Sequence, residues 1–165
     1  MKHYLTKTAE TASSNELEAV KSLILQGMDK LGLKPDPILD GDLRNLQETY
    51  RPPNSMILIL DPQTNIIVGC GAIRTHTNQS GEMRRIYIQE SHQNRGIGTQ
   101  IIRELIHQAS TLGLKQLWTR TTTKSKGTEL YKKLGFKIRP CTDPKERAGT
   151  VELIITPKPI LKTTR

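Results

Sequence analysis

Gln93-Asn94-Arg95-Gly96-Ile97-Gly98-Thr99 is the stretch on which the reading of this chain turns. It separates an apolar segment of strand character, Met83 to Ile88, from an amphipathic segment with helical spacing, Thr99 to Leu112. A Gly-x-Gly at such a strand-to-helix turn lets the main chain approach a ligand without Cβ obstruction. The new helix then aims its unpaired N–H groups, and the positive end of its dipole, at that ligand. These are the requirements of a phosphate site. Two other meanings of the glycine pair fail on the residues around it. A dinucleotide fingerprint needs a third glycine and, about 20 residues on, an acidic side chain. Position 101 is Ile101, and Leu114 to Thr121 holds no Asp or Glu. A P-loop needs Gly-Lys-Ser/Thr, which is absent.

Upstream, Ser13 and Glu16 have capping-box spacing. Leu17, Val20, Ile24, Met28 and Leu31 follow at helical intervals, and Gly32 supplies a stop. A short second helix is expected to carry Leu43, Leu46 and Tyr50 on one face, with Asp40 as its cap and Pro52-Pro53 ending it. Met56 to Leu60 and Ile66 to Arg74 are apolar runs joined by Asp61-Pro62-Gln63-Thr64-Asn65, which predicts a β-hairpin. Downstream, Ile101, Ile102, Leu105, Ile106, Ala109 and Leu112 form one helical stripe closed by Gly113. Leu114 to Thr121 returns as a strand, and Ser125 to Leu134 is a helix closed by Gly135. Phe136-Lys137-Ile138 and Val151 to Ile155 complete the strands. This order predicts one mixed α/β domain over residues 1–156. The basic tail from Pro157 to Arg165 is expected to fray.

Composition narrows the class. The chain has 165 residues, 35% of them hydrophobic, with one Phe and one Trp, so its core is mostly aliphatic. No apolar run reaches the roughly 18 residues that span a bilayer, and no signal-peptide core opens the chain. Cys70 and Cys141 fit no metal or disulfide-framework spacing and are expected to be free thiols in a reducing cytoplasm. His3, His76, His92 and His107 have no metal-ligand spacing either, so no metal is implied. The net charge of +9 favours a polyanion, either nucleic acid or a phosphate-rich cofactor. No named nucleic-acid motif accompanies the charge, which disfavours the first.

Three segments carry a family resemblance, in order. They are Met83-Arg84-Arg85-Ile86-Tyr87-Ile88, Gln93-Asn94-Arg95-Gly96-Ile97-Gly98, and Leu130-Tyr131-Lys132-Lys133-Leu134-Gly135-Phe136. The stretch from Glu82 to Phe136 resembles the GNAT superfamily of acetyl-CoA-dependent N-acetyltransferases. Its pyrophosphate loop reads [Gln/Arg]-x-x-Gly-x-[Gly/Ala], and its closing signature reads Tyr-x-x-x-Gly-Phe. The resemblance implies a central mixed, mostly antiparallel sheet flanked by about four helices. It also implies acetyl-CoA as co-substrate, a small-molecule amine as acceptor, and no membrane; a homodimer is left open.

The implied site follows the same residues. Gln93, Asn94, Arg95, Gly96, Ile97, Gly98 and Thr99 would cradle the pyrophosphate. Main-chain groups of the Ile86, Tyr87 and Ile88 strand would pair with the pantetheine arm as an added strand does. Ser125 either touches that arm or caps its helix. Attack on a thioester needs a neutral amine, so a base must remove a proton from the ammonium. Glu82 stands fourteen residues before Gly96, the offset of the general-base glutamate in the family's histone-modifying branch. Strand alternation places it on one face with Arg84, Ile86 and Ile88. Glu90, Glu129 and His92 are weaker candidates. Tyr131 falls where the family keeps the tyrosine that protonates, or hydrogen-bonds to, the departing thiolate. With no acyl-enzyme arrangement recognisable, direct transfer in a ternary complex is expected. Two other readings stay open: a nucleic-acid-binding module and an inactive acyl-CoA-binding GNAT fold. For the acceptor, Arg74, Arg120, Lys124 and His76 would suit a substrate carboxylate. Asp36, Asp40, Asp42 and Glu48 would suit the second ammonium of a polyamine. The amino-acid-like acceptor is preferred, with a polyamine and a peptide or protein amine as the alternatives.

Overall fold

The computed structural model describes residues 3–158, apart from 78, 124 and 147. Seven strands form one sheet: β1 (Leu5–Thr8), β2 (Ser55–Leu60), β3 (Ile67–Thr75), β4 (Ser80–Ile88), β5 (Gln116–Thr122), β6 (Lys137–Pro140) and β7 (Thr150–Ile155). Their spatial order is β1-β2-β3-β4-β5-β7-β6, and among the described residues only the β4–β5 pair is parallel. Among the described residues, four α-helices accompany it: α1 (Ser14–Lys30), α2 (Leu46–Thr49), α3 (Ile97–Thr111) and α4 (Lys126–Lys133). This is the expected mixed α/β class. The basic tail lies outside the described residues from 159 onward.

The local rules work well where the chain follows them. The Ser13 side chain accepts from Glu16 N, while the Glu16 carboxylate accepts from Ser13 N, completing the capping box of α1. Leu31, at the end of the predicted stripe, lies beyond the helix and is exposed. The predicted second helix is instead two short pieces: a 3₁₀ turn over Gly41–Arg44, then α2. The Asn45 side chain caps α2 by accepting from Glu48 N, whereas Asp40 makes no side-chain cap. Leu43, Leu46 and Tyr50 still share one buried cluster. β1 escaped the sequence reading, because Leu-Thr-Lys-Thr is a short, polar edge strand with one exposed leucine. Helix α3 starts at Ile97, two residues before the expected Thr99.

Each face of the sheet buries its own cluster. Ile57, Ile59, Ile73, Met83 and Leu117 pack with Ile97, Ile101, Ile102 and Leu105 of α3 and with Tyr131 of α4. Met56, Leu58, Cys70 and Ala72 pack on the other face with Val20, Ile24 and Met28 of α1 and with Leu43, Leu46 and Tyr50. The four α3 side chains are essentially fully buried, and each stabilises by about 1.5–3 kcal/mol. That outweighs the roughly 1 kcal/mol by which Gly98 lowers helix propensity in the first turn. Packing, rather than propensity, therefore seats the start of α3 against the sheet.

One irregularity decides which side chains face the site. Cys70 pairs with Tyr87 and Ala72 with Arg84, so Arg85 and Ile86 together oppose Gly71 in a β-bulge. Arg85 takes φ +57° there, an uncommon conformation for a side-chain-bearing residue. The extra residue reverses the alternation along β4. Met83, Ile86 and Ile88 face the α3 cluster, while Tyr87 packs on the α1 side. Glu82 and Arg84 alternate with Met83 and so face α1. The expected face shared by Glu82, Ile86 and Ile88 is therefore corrected; only Arg84 shares it.

Candidate active site

Strands β4 and β5 run together for three pairs, ending at Glu82 opposite Trp118, and then part. Among the described residues, Arg84 to Ile88 have no strand partner on that side. An open groove of about 770 Å³ adjoins this free edge, between α1 and the end of β4. It is lined by Leu23, Gly27, Leu31, Ile86, Tyr87 and Ile88, among others. The Tyr87 ring lies on Gly27, where a Cβ would come within 2.1 Å of it. Any larger residue at position 27 would displace that ring.

At the end of the groove the chain turns through left-handed residues at Asn94 (φ +58°) and Gly96 (φ +81°), and α3 begins. Gly96 is the N-cap and makes no side-chain cap hydrogen bond. The first intrahelical bond runs from Gln100 N to Gly96 O at 3.1 Å. The N–H groups of Ile97, Gly98 and Thr99 thus precede any intrahelical acceptor. Arg95 is exposed beside them, and Gln93 donates its side-chain amide to the Ile88 carbonyl. The residues expected around a pyrophosphate are brought together here, and an uncapped helix start with a dipole behind it fits that group.

Two ionisable side chains flank the point where the strands part, one from each face. Glu82 looks toward the α1 side. Its carboxylate lies 3.1 Å from His76 Nε2 and 4.0 Å from Arg84 Nε, and it is a quarter exposed. Trp118, its partner across the gap, lies against His76 and under the Arg120 guanidinium. Tyr131 approaches from the α3 side, buried with its ring edge-on to Phe136. Its hydroxyl is hydrogen-bonded to Thr119, whose own hydroxyl donates to the Met83 carbonyl at 3.3 Å. Burial pushes the Tyr131 phenol up to about 12, although the Thr119 hydrogen bond pulls the other way. The phenol is protonated at neutral pH. His76, Trp118 and Thr119 carry no motif of their own; the β4–β5 register brings Trp118 and Thr119 here, and His76 follows directly on β3, whose register with β4 sets Arg74 opposite Glu82.

The connection between α1 and α2 is clamped to the β4 bulge. Arg85 donates to both carboxylate oxygens of Asp42 at 2.9 and 2.6 Å and to Asp40 at 2.7 Å. The Tyr50 hydroxyl donates to Asp42 at 2.6 Å, and Arg84 donates to the Leu39 carbonyl at 3.3 Å. Asp40 and Asp42 are thus already engaged by Arg85. Asp36 accepts from Ile38 N and Leu39 N, which leaves it a turn-forming role. Arg120 is bound by Asp143, Glu146 and Glu152, so it is not the free cation expected of it. Lys124 lies outside the described residues. Arg74 remains, directly opposite Glu82 on β3 and exposed.

The weaker candidates already have partners, and Glu90 lines the groove itself. Glu90 pairs with Lys30, Glu129 pairs with Lys132, and His92 contacts Asp61 at the β2–β3 turn. The Ser125 hydroxyl accepts from Gly127 N, so it caps α4.

A sheet parted beside an uncapped helix start is the arrangement that the motifs of the chain lead one to expect of an acyltransferase. A family model described as an acetyltransferase (GNAT) domain matches residues 53–138, just over half of the chain. The protein belongs to the GNAT acetyltransferase family and is an acyltransferase. It is 25% identical over 125 residues to an uncharacterised N-acetyltransferase of Schizosaccharomyces pombe, covering 74% of this chain and 77% of that protein. A GNAT-family acetyltransferase from Staphylococcus aureus Mu50 superposes with a TM-score of 0.77 at 15% identity, over 94% of this chain and all of that one. The PaiA N-acetyltransferase of Thermoplasma acidophilum, solved in complex with coenzyme A, gives a TM-score of 0.70 at 12% identity, over 93% of this chain and 99% of that one. At such identities the structural likenesses establish the fold. Among the described residues, no helix is long and apolar enough to cross a membrane.

Proposed function

We propose that this protein transfers acetyl from acetyl-CoA to the amine of a small, amino-acid-like acceptor, directly within a ternary complex. The observation that carries this is the placement of Glu82 and Tyr131 on opposite faces of the parted β4–β5 edge. Acetyl-CoA supplies the acyl group and a thiolate leaving group. Residues Gln93 to Thr99 bind its pyrophosphate through main-chain N–H groups, and the unpaired edge around Ile86 and Ile88 aligns its pantetheine arm. Glu82 takes the proton from the acceptor ammonium. Tyr131 attends the sulfur, and its acidity defines how. A phenol near 12 is a weaker acid than a thiol, ordinarily about 8.5. Tyr131 therefore donates a hydrogen bond to the thiolate and keeps its proton.

The acceptor preference follows from what is still available. Arg74 and Arg84 lie on the Glu82 face, where they suit a substrate carboxylate, whereas Asp40 and Asp42 are occupied by Arg85 and suit a polyamine poorly. Residues 1–156 are read as one catalytic unit, and two free thiols suit a cytoplasmic setting. Initial rates with acetyl-CoA and a panel of α-amino acids, against spermidine, test the acceptor assignment. A strong preference for spermidine would reverse it.

Two variants probe the cofactor side. Gly96→Val forces a β-branched residue into left-handed backbone, a cost of about 1–3 kcal/mol. The protein should relieve that strain by reshaping the loop, lowering acetyl-CoA affinity about tenfold or more. Calorimetry showing unchanged affinity in a folded variant would remove the pyrophosphate assignment. Tyr131→Phe deletes only the hydroxyl. Loss of a charge-assisted hydrogen bond should reduce kcat about tenfold with packing intact. Wild-type turnover would make Tyr131 purely structural.

A further inference from the structure

His76 stands between Glu82 and solvent. Its Nε2 lies 3.1 Å from Glu82 Oε2, and its side chain is 41% exposed against 25% for the glutamate. The ring is held from behind by Trp118, with centroids 5.8 Å apart, and the His76 N–H is tied to the Ser80 carbonyl. The charged groups around the pair are Arg84 on β4, Arg74 on β3 opposite Glu82, and Arg120 on β5 beyond Trp118. Asp143, Glu146 and Glu152 bind Arg120. Arginine cannot give up its proton in proteins. An imidazole can accept a proton at one ring nitrogen and release one from the other.

That arrangement addresses a problem a lone glutamate would face. A proton that the carboxylate has taken must be discharged before the next turnover. We propose that His76 completes the base. Through Nε2 it takes the proton that Glu82 removes from the acceptor ammonium, and its exposed ring releases that proton to water. As the N–C bond forms and the C–S bond breaks, the nitrogen sheds two protons. The first leaves through Glu82 and His76 to solvent; the second passes by way of water to the departing sulfur, giving the free thiol, while Tyr131 keeps its own proton. Both side chains then regain their starting charge. His76 acts through Glu82, so the inference rests on the reading of Glu82 as base.

The test uses the whole chain with acetyl-CoA and the best acceptor from the amine panel. Glutamine at position 76 can still hydrogen-bond to Glu82 but cannot carry a proton. His76→Gln should therefore lower kcat about tenfold or more at neutral pH. Acetyl-CoA affinity should be unchanged, and the deficit should shrink toward high pH. Added imidazole should restore part of the rate of His76→Ala and none of that of Glu82→Gln. Without any substrate, the ring ¹⁵N resonances of His76 should shift when Glu82 becomes glutamine. Wild-type kcat and pH profile in His76→Gln, with Glu82→Gln impaired, would overturn the relay and spare Glu82. Full activity in both variants would remove the base assignment and the relay together.

Discussion

Glu82→Gln should lower kcat at neutral pH by about 10²-fold or more, with acetyl-CoA affinity unchanged. The substitution keeps the volume of the side chain and its place opposite Trp118. It removes the carboxylate proposed as the base at the parting of the strands. The pyrophosphate loop and the free edge of β4 are untouched, so cofactor binding serves as the internal control. The loss should diminish as pH rises and the acceptor becomes neutral without help. A glutamine variant with wild-type rate at neutral pH would assign proton removal to bulk water or to another group. Because Glu82 is a quarter exposed, the substitution should cost little stability, and the kinetic effect can be read directly.

Arg85→Met should destabilise the fold by about 3–5 kcal/mol, since it leaves buried carboxylates without their counter-charge. The side chains of Arg85 and Asp42 are 7% and 6% exposed. Methionine would remove every hydrogen bond from Arg85 to Asp40 and Asp42. The double variant Arg85→Met/Asp42→Leu should recover much of the loss, because it removes the orphaned charge as well. Urea denaturation measures both, and a loss below about 1 kcal/mol would show that the clamp is not stabilising. The pH dependence has a definite sign. Burial raises the Asp42 carboxyl, but hydrogen bonds from Arg85 and Tyr50 more than offset this and hold it below its ordinary 3.8. A folded-state value depressed in this way contributes stability that is complete above the unfolded-state value. That stability is lost as pH falls through the folded one. Arg85→Met should therefore weaken acid sensitivity below about pH 4 along with overall stability. It should also raise KM for the acceptor more than it weakens acetyl-CoA binding, because the clamp holds the α1–α2 connection beside Glu82.

Much of this was legible from residue order alone. The Ser13–Glu16 box, the stripe from Ile101 to Ala109 and the glycines at 32, 96, 113 and 135 act through neighbours within a turn or two, which spacing records. What was missed depended on partners far along the chain. The Leu5–Thr8 strand is too polar to announce itself and exists because β2 offers an edge for it to pair with. The pairing of Arg85 with Asp42 spans 43 residues, and a run of acids at 36, 40, 42 and 48 reads equally well as a ligand site. Arg120 is a free cation in sequence and a neutralised one in the fold, because β5 lies beside β7 and brings Glu152 to it.

Short-range stereochemistry carries the class: a strand, a Gly-x-Gly turn and an amphipathic helix, followed by Tyr131 and Gly135-Phe136, define the GNAT order. Which face each strand residue of the site occupies is set instead by long-range pairing. One extra residue in the β4 ladder at Arg85 reverses the alternation, turning Glu82 away from Ile86 and Ile88 and toward α1. A bulge depends on the register of two strands brought together by folding. No periodicity within β4 encodes it, and the meeting of Glu82 with His76 depends on that same register.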